Sequence, residues 1–431
     1  MRHPLRPSLE RAPRAVFVVY AVFASFSTYF CMYAFRKPFA AASFEGFSFL
    51  GTDLDLKTAF VISQIVGYTV SKYAGIKIVS EVATRRRASS LLGLVAAAEV
   101  ALLGFALLPE SVMALALFAN GLCLGMIWGL VVRYLEGRRS SELLLAGLST
   151  SFIVASGAVK DVGRFLMRDL GVSEVWMPAA VGAMFFPLFV LSVWLLDQVP
   201  DPSDADVAAR VERSPMDAKE RFAFVARFAG GLIPLFAVYV AATAYRDFRD
   251  NYGVEIFARL GYEEEPGLFT QTELPVAFGV LLTLAALNLV RDNRRGLAGA
   301  FVVMLAGTAI LAGSTALLDA GRLDGLAWMV AVGLGSYLIY VPFNSVLFDR
   351  MIAASRVRGT AVFAIYVADA LGYTGSIATQ LYKDFGDPSA TRLEFFRAFS
   401  YAFAAGAAVL LAASLGYFWF RTRVSSRAAP P

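Results

Sequence analysis

Four basic residues, Arg36, Lys72, Lys160 and Arg246, stand inside or at the edges of long apolar stretches, and Asp161, Glu273 and Asp369 do the same for the acids. At the centre of a bilayer a charge costs roughly 2.5–3.5 kcal/mol on insertion scales, so each should be paired or face a wet cavity. Their spacing places them on shared helix faces, because residues three, four or seven apart project to one side. Tyr29, Tyr33 and Arg36 follow that rule, as do Gln64, Tyr68 and Lys72; Ser156, Lys160 and Arg164; and Tyr239, Thr243 and Arg246. Later stripes are Tyr337, Tyr340 and Asn344, then Tyr366, Asp369, Tyr373, Ser376 and Gln380. Guanidinium groups grip phosphate through paired, charge-assisted hydrogen bonds and keep their charge when desolvated. Two arginines with Lys72 and Lys160 therefore suit a tetrahedral dianion, and a cationic ligand would find the site hostile. Asp161 points about 100° away from Lys160 around the helix and is expected to serve a neighbouring helix.

The elements that must carry these stripes are membrane helices. The chain has 431 residues, 58% hydrophobic and 17% charged, with a mean hydropathy of +0.61. Soluble domains run nearer a quarter charged. Twelve hydrophobic segments are legible, at about 14–35, 57–76, 88–108, 112–133, 143–167, 176–196, 226–246, 271–290, 297–318, 326–348, 359–382 and 395–420. Their lengths suit helices that cross a bilayer, for which roughly 20 apolar residues are needed, and no strand-like alternation interrupts them. The first segment lacks a clean cleavage site and is expected to be retained. The fold class predicted is an all-α integral membrane protein of twelve transmembrane helices in two pseudo-symmetric six-helix bundles. Residues 1–196 form the first bundle, 197–225 a Pro-rich charged linker with a short amphipathic helix near 216–224, and 226–431 the second bundle.

The net charge is +5, but the bases cluster in alternate short connections such as Arg85–Arg86–Arg87, Arg138–Arg139 and Arg294–Arg295. That bias predicts a multi-pass protein of a plasma or inner membrane with both termini cytoplasmic, and it removes nucleic acid from the expected partners. The opposite side carries an acidic loop from Asp247 to Glu265. His3 is the sole histidine and Cys31 and Cys123 the only cysteines, so no histidine relay, Ser-His-Asp triad, disulfide framework or zinc site is expected. A Gly-x-x-x-x-Gly-Lys-Ser/Thr loop is absent, which rules out ATP as a drive bound by this chain.

The run Tyr29-Phe-Cys-Met-Tyr33-Ala-Phe-Arg36-Lys37-Pro resembles the first helix of the organophosphate:phosphate antiporters, a family of the major facilitator superfamily typified by glycerol phosphate transporters. Tyr68-Thr-Val-Ser-Lys72 is similar to the family's second helix, and Asn120-Gly121-Leu-Cys-Leu-Gly125-Met-Ile-Trp128 to its fourth. Tyr245-Arg246 with Asn251-Tyr252, Glu273 with Gly279, Ile339-Tyr340-Val-Pro342 and Gly372-Tyr373-Thr-Gly375 match stretches of later helices. The resemblance implies that Arg36 and Arg246 bind phosphate, with Lys72, Tyr29, Tyr33, Tyr68, Trp128, Tyr340 and Tyr373 lining the site. Where the family has His-Asn-Val-Gly, this chain has Lys160-Asp161-Val-Gly163, which adds a charge and removes a titratable ring.

The expected function is a secondary transporter that moves a phosphorylated or other multivalent organic anion by alternating access, in exchange for phosphate or with protons. Glu273 and Asp369 are the expected coupling acids, and Lys160 either joins the anion site or pairs with Asp161 or Asp369. No cofactor, metal or enzymatic activity is expected; the partners are a small anion and membrane lipid, and the chain is expected to be a monomer. The alternative is a receptor that senses a phosphate ester with the same fold and moves nothing.

Overall fold

Apolar runs of this length leave the backbone no partner but itself, and the helix is the only open element that satisfies every amide within one segment. The computed structural model describes residues 3–44, 49–52, 54–138, 140–203, 206, 218–355, 361–386 and 389–427, and all regular elements among them are helical. A short helix, α1 (Arg6–Arg11), precedes α2 (Arg14–Tyr33). There follow α3 (Leu56–Glu81), α4 (Arg87–Leu107), α5 (Glu110–Leu124), α6 (Ile127–Leu135), α7 (Ser141–Asp169) and α8 (Met177–Asp197). The later part of the chain forms α9 (Ala218–Asn251), α10 (Gly253–Arg259), α11 (Leu268–Asn288), α12 (Asn293–Asp319), α13 (Gly325–Ser345), α14 (Leu347–Ser355), α15 (Ala361–Leu381) and α16 (Arg392–Arg427).

Ten helical spans among the described residues are long and apolar enough to cross a membrane, with α5 and α6 counted as one. Of the other long helices, α3 carries Lys57, Gln64 and Lys72, and α15 carries Asp369 and Gln380. Large apolar side chains such as Val19, Phe23, Leu289 and Phe420 are exposed, as expected of surfaces that meet lipid rather than water. The chain is a multi-pass integral membrane protein, and each of the twelve hydrophobic segments coincides with a helix or the α5–α6 pair. Of the linker expected at 197–225, residues 204–205 and 207–217 lie outside the described residues, and 218–225 belong to α9. One expectation changes: the segment that should end at Arg246 continues to Asn251. Its last residues are charged, but they are buried against partners distant in sequence, so hydropathy undervalues them.

Helix starts are fixed by carboxylates. Asp55 accepts from Thr58 N at 2.9 Å, Asp292 from Arg295 N at 2.7 Å and Asp324 from Ala327 N at 2.9 Å, opening α3, α12 and α13. Packing divides the chain into two units. The first comprises Met1–Ala209, Asp250–Leu274 and Gln380–Ala390; the second comprises Arg210–Arg249, Pro275–Thr379 and Thr391–Pro431. In the first, α2 lies against α7 and α8, α3 against α5, and α4 against α5 and α8. In the second, α12 packs on α13, α14 and α16.

The closest backbone approach in the first unit sets the stripe on α3. Gly121 lies on α5 and Gly125, four residues on, just beyond its end, and a side chain at Gly125 would meet the Tyr68 carbonyl at 2.5 Å and Ser71 Cβ at 2.6 Å. Small residues at this spacing let membrane helices touch backbone to backbone. Gly125→Val is expected to force α3 off α5, costing about 1–3 kcal/mol as overpacking does, and to lower the yield of monodisperse protein in detergent. Gly313→Val is the control, since a Cβ there meets nothing within 4 Å. Equal yields and unfolding temperatures for the two variants would show that the approach does not matter.

Candidate anion-binding site

The first unit builds one cationic corner where α2 ends. After Tyr33 the backbone turns, with the Arg36 and Lys37 amides both donating to the Tyr33 carbonyl, and a 3-10 turn over Pro38–Ala41 follows. The end of a helix leaves carbonyls without partners, and here two amide side chains supply donors. Asn120 Nδ2 donates to the Phe35 carbonyl at 2.9 Å and Gln64 Nε2 to the Arg36 carbonyl at 3.0 Å, while Gln64 also donates to Asn120 Oδ1 at 2.9 Å. Arg36 is thereby held from α3 and α5. Its guanidinium, 5% exposed, lies 4.0 Å from the Tyr68 ring centroid and 5.8 Å from that of Tyr33. Lys72 approaches the same Tyr68 ring at 5.6 Å. Tyr29 touches Tyr33 at 5.6 Å and Trp128 at 4.9 Å between ring centroids. Six residues singled out from the sequence, Arg36, Lys72, Tyr29, Tyr33, Tyr68 and Trp128, thus form one chain of contacts.

The second unit has a corner of similar make. The Arg246 guanidinium lies 4.2 Å from the Tyr340 ring centroid, and its Nη2 donates to Asp247 Oδ1 at 2.8 Å. The Tyr239 hydroxyl donates to the Asp369 carboxylate and lies 3.1 Å from the Tyr340 hydroxyl; Asn344 Nδ2 donates to it at 3.2 Å. Tyr373 is buried one turn beyond Asp369 on α15. Close packing of α15 on α9 presents Asp369 to Tyr239, since a side chain at Gly372 would meet Thr243 Oγ1 at 2.7 Å.

Lys160 has a partner other than the Asp161 or Asp369 expected from the sequence. Its ammonium donates to Asp250 Oδ1 at 2.7 Å and to the Asp250 carbonyl at 3.0 Å, and it sits 4.4 Å from the Phe269 ring centroid. Lys37 binds the other oxygen of the same carboxylate at 2.5 Å and donates to Asn251 Oδ1 at 2.9 Å, while the Ser156 hydroxyl donates to Asp250 Oδ1. Beside this cluster the buried Lys57 pairs with Glu255 at 2.6 Å, and the Tyr252 hydroxyl meets Thr58 Oγ1 at 2.8 Å and Gln380 Oε1 at 3.2 Å. Asp161 pairs with neither lysine. It accepts from the amides of Phe269 and Thr270 and so opens α11. Glu273 is buried one turn further along, its Cγ 2.9 Å from where a side chain on Gly157 would begin.

Two residues escaped the sequence reading. Asp250 looked like part of a solvated acidic loop, although its place four residues beyond Arg246 on the same helical phase was a usable signal. Glu99 was hidden inside a long apolar run.

Solved structures share this architecture. The chain is similar to a D-xylose-proton symporter, with a TM-score of 0.60 and 13% identity over 94% of this chain and 96% of that one. It is also similar to a nucleoside transporter, with a TM-score of 0.56 and 12% identity over 93% and 99% of the two chains. The fold is therefore the major facilitator fold. A family model described as "Family of unknown function (DUF5690)" matches residues 38–421, and the chain belongs to that family. No curated protein matches it.

The two-lysine clamp on Asp250 makes a stability prediction. Asp250→Asn leaves two buried ammonium groups facing an amide, and removing one partner of a buried ion pair costs about 3–5 kcal/mol. Asp250→Asn combined with Lys160→Met is expected to recover much of that loss, because one stranded charge is removed with its partner. Thermal unfolding in detergent of both singles and the double measures it; strictly additive losses would show that the lysine and the carboxylate do not interact.

Proposed function

We propose that this protein is a secondary transporter that moves a multivalent organic anion, phosphorylated in the reading we favour, by alternating access between two bundles. The observation that carries the proposal is the setting of Arg36. A cation fixed at the broken end of a membrane helix is stacked on Tyr68, with Lys72 against the same ring. Stacking takes up the flat face of a guanidinium, keeps its charge, and is compatible with a ligand that meets the edge. That edge matches two oxygens of a phosphate or carboxylate, a match that a lysine point charge cannot make. Arg246 on Tyr340 repeats the device in the second unit. The similarity to sugar–proton and nucleoside transporters supports transport as the use of such a site, and the likeness of Tyr29–Lys37 to the organophosphate antiporters supports the phosphoryl group.

In this mechanism Arg36 and Arg246 bind anion through their guanidinium groups, Lys72 adds positive potential, and Tyr29, Tyr33, Tyr68, Trp128, Tyr340 and Tyr373 line the path. Lys160 acts at one remove, by holding Asp250 beside Lys37. Asp369 and Glu273 are the coupling acids, and both termini face the cytoplasm, following the bias of basic loops. Binding must favour one arrangement of the bundles over the other by its own interaction energy.

Counterflow into proteoliposomes loaded with inorganic phosphate, screened with phosphate esters, tests the reading; binding without flux would favour a receptor. Arg36→Lys and Arg246→Lys are each expected to lower uptake at least tenfold, about 1.4 kcal/mol, with membrane expression near normal. Full uptake in either variant would remove that arginine from the site. In Asp369→Asn the dependence of net uptake on pH should flatten while phosphate exchange persists, and an unaltered pH profile would leave Asp369 as a structural acceptor for Tyr239.

A further inference from the structure

Glu99 lies within α4 among alanine, valine and leucine. It is twelve residues beyond Arg87 and eight before Leu107, about 18 Å and 12 Å along the axis at 1.5 Å per residue. In a hydrocarbon layer about 30 Å thick, neither end of the helix brings it to water. Its Oε2 is sealed from solvent, and among the described residues no donor reaches it. The place is shaped by α8 and by the end of α2. A methyl group added at Gly182 would collide with Oε2, and would lie 3.2 Å from the Phe35 ring.

Among the described residues, the titratable groups on α5, α6 and α8 lie at a distance from this oxygen or are neutral; at the end of α2 it is Phe35 that reaches the place, while Arg36, the next residue, is held against Tyr68 and Tyr33. On α8 the only one is Asp197, fifteen residues beyond Gly182, about 22 Å of helix. Arg133 and Tyr134 of α6 are held at that same end, where Arg87 donates to the Arg133 carbonyl and Tyr134 to Asp197; Arg85 and Arg86 precede Arg87 there. On α5, Glu110 is ten residues before Asn120, and Cys123, one turn after it, is a thiol that carries no charge near neutrality. A carboxylate left without a cation or donor at this depth is the expensive form, and the acid with its proton the cheap one. A metal ion would need several oxygen ligands converging there, and the described residues offer one carboxylate and an apolar wall.

We propose that Glu99 is a proton-binding site of the first unit. It holds a proton between α4 and Gly182 of α8. Dissociation leaves a carboxylate and passes the proton to water, so charge and atoms balance. The site is linked to the cationic corner through the backbone. Asn120 Nδ2 donates to the carbonyl of Ala98, beside Glu99, at 3.2 Å as well as to the carbonyl of Phe35, beside Arg36. Ionised Glu99 and an anion held at Arg36 would repel each other, so occupancy of one raises proton occupancy of the other, and the effect is reciprocal. This linkage, unlike the proton site itself, rests on the anion reading given above.

The test is infrared difference spectroscopy on the full-length protein in lipid, cycled between acidic and alkaline buffer with and without inorganic phosphate. A carbonyl-stretch band of a protonated carboxyl group should rise in acid, vanish in Glu99→Gln and shift in Glu99→Asp. Phosphate should enlarge that band at intermediate pH. A band that persists in Glu99→Gln, or a Glu99 band fixed across the whole range, overturns the proposal. If Glu99→Gln yields no folded protein, Glu99→Asp decides alone, and an unshifted band counts against it. A band that titrates but ignores phosphate keeps the proton site and tells instead against anion binding at Arg36.

Discussion

Two ammonium groups on one carboxylate make the most consequential interaction in the first unit. Water is too scarce at membrane depth to solvate Lys37 and Lys160, and buried charges survive there only when paired and hydrogen-bonded. Asp250 meets both, one through each oxygen, with Ser156 and Asn251 completing the shell. The consequence spreads outward. Asp250 is the point at which the chain beyond α9 joins the first unit, and the partners that follow, Glu255 with Lys57 and Asp161 with the start of α11, depend on the chain having entered there. Lys37 is adjacent to Arg36, so the pairing also fixes the turn on which the anion corner stands.

That turn is held from its other side by amides rather than charges. Gln64 and Asn120 satisfy the carbonyls released at the end of α2, and they can do so because Gly121 lets α5 approach α3 without a side chain between them. A broken helix end is costly in lipid unless such donors are built in. The sequence run from Asn120 to Gly125 is thus the support for Arg36, although it lies more than eighty residues away.

The helices and much of their polar stripes were legible in the sequence because helical periodicity puts residues of one face at fixed spacing; Gln64–Tyr68–Lys72 needed nothing else, whereas Arg36 lies in the turn after α2 and meets Tyr33 from there. Pairings across the chain were not legible. Lys160 was assigned to the anion site or to Asp161 or Asp369, and its partner proved to be Asp250, ninety positions on; local spacing holds no information about such a contact. The end of α9 was missed for the same reason, since Asp250 looks solvated until Lys37 and Lys160 are placed beside it. Glu99 failed in the opposite way: one acid among alanines and leucines barely lowers a hydropathy average, while its physical cost is undiminished.

The tyrosine rings beside Arg36 and Arg246 bear on how the proposed site works. A carboxylate against Arg36 would cancel its charge and compete with any anion. An aromatic face stabilises a guanidinium by about 0.5–2 kcal/mol without neutralising it. Three acids of the first unit have partners of their own: Asp250 two lysines, Glu255 Lys57, and Asp161 backbone amides. The second corner is built differently, for Asp247 sits 2.8 Å from Arg246 and shares its charge. In the proposed reading, a ligand at Arg246 would have to draw it from Asp247, and that carboxylate would then need another donor or a proton, which would tie binding to a rearrangement in the second unit.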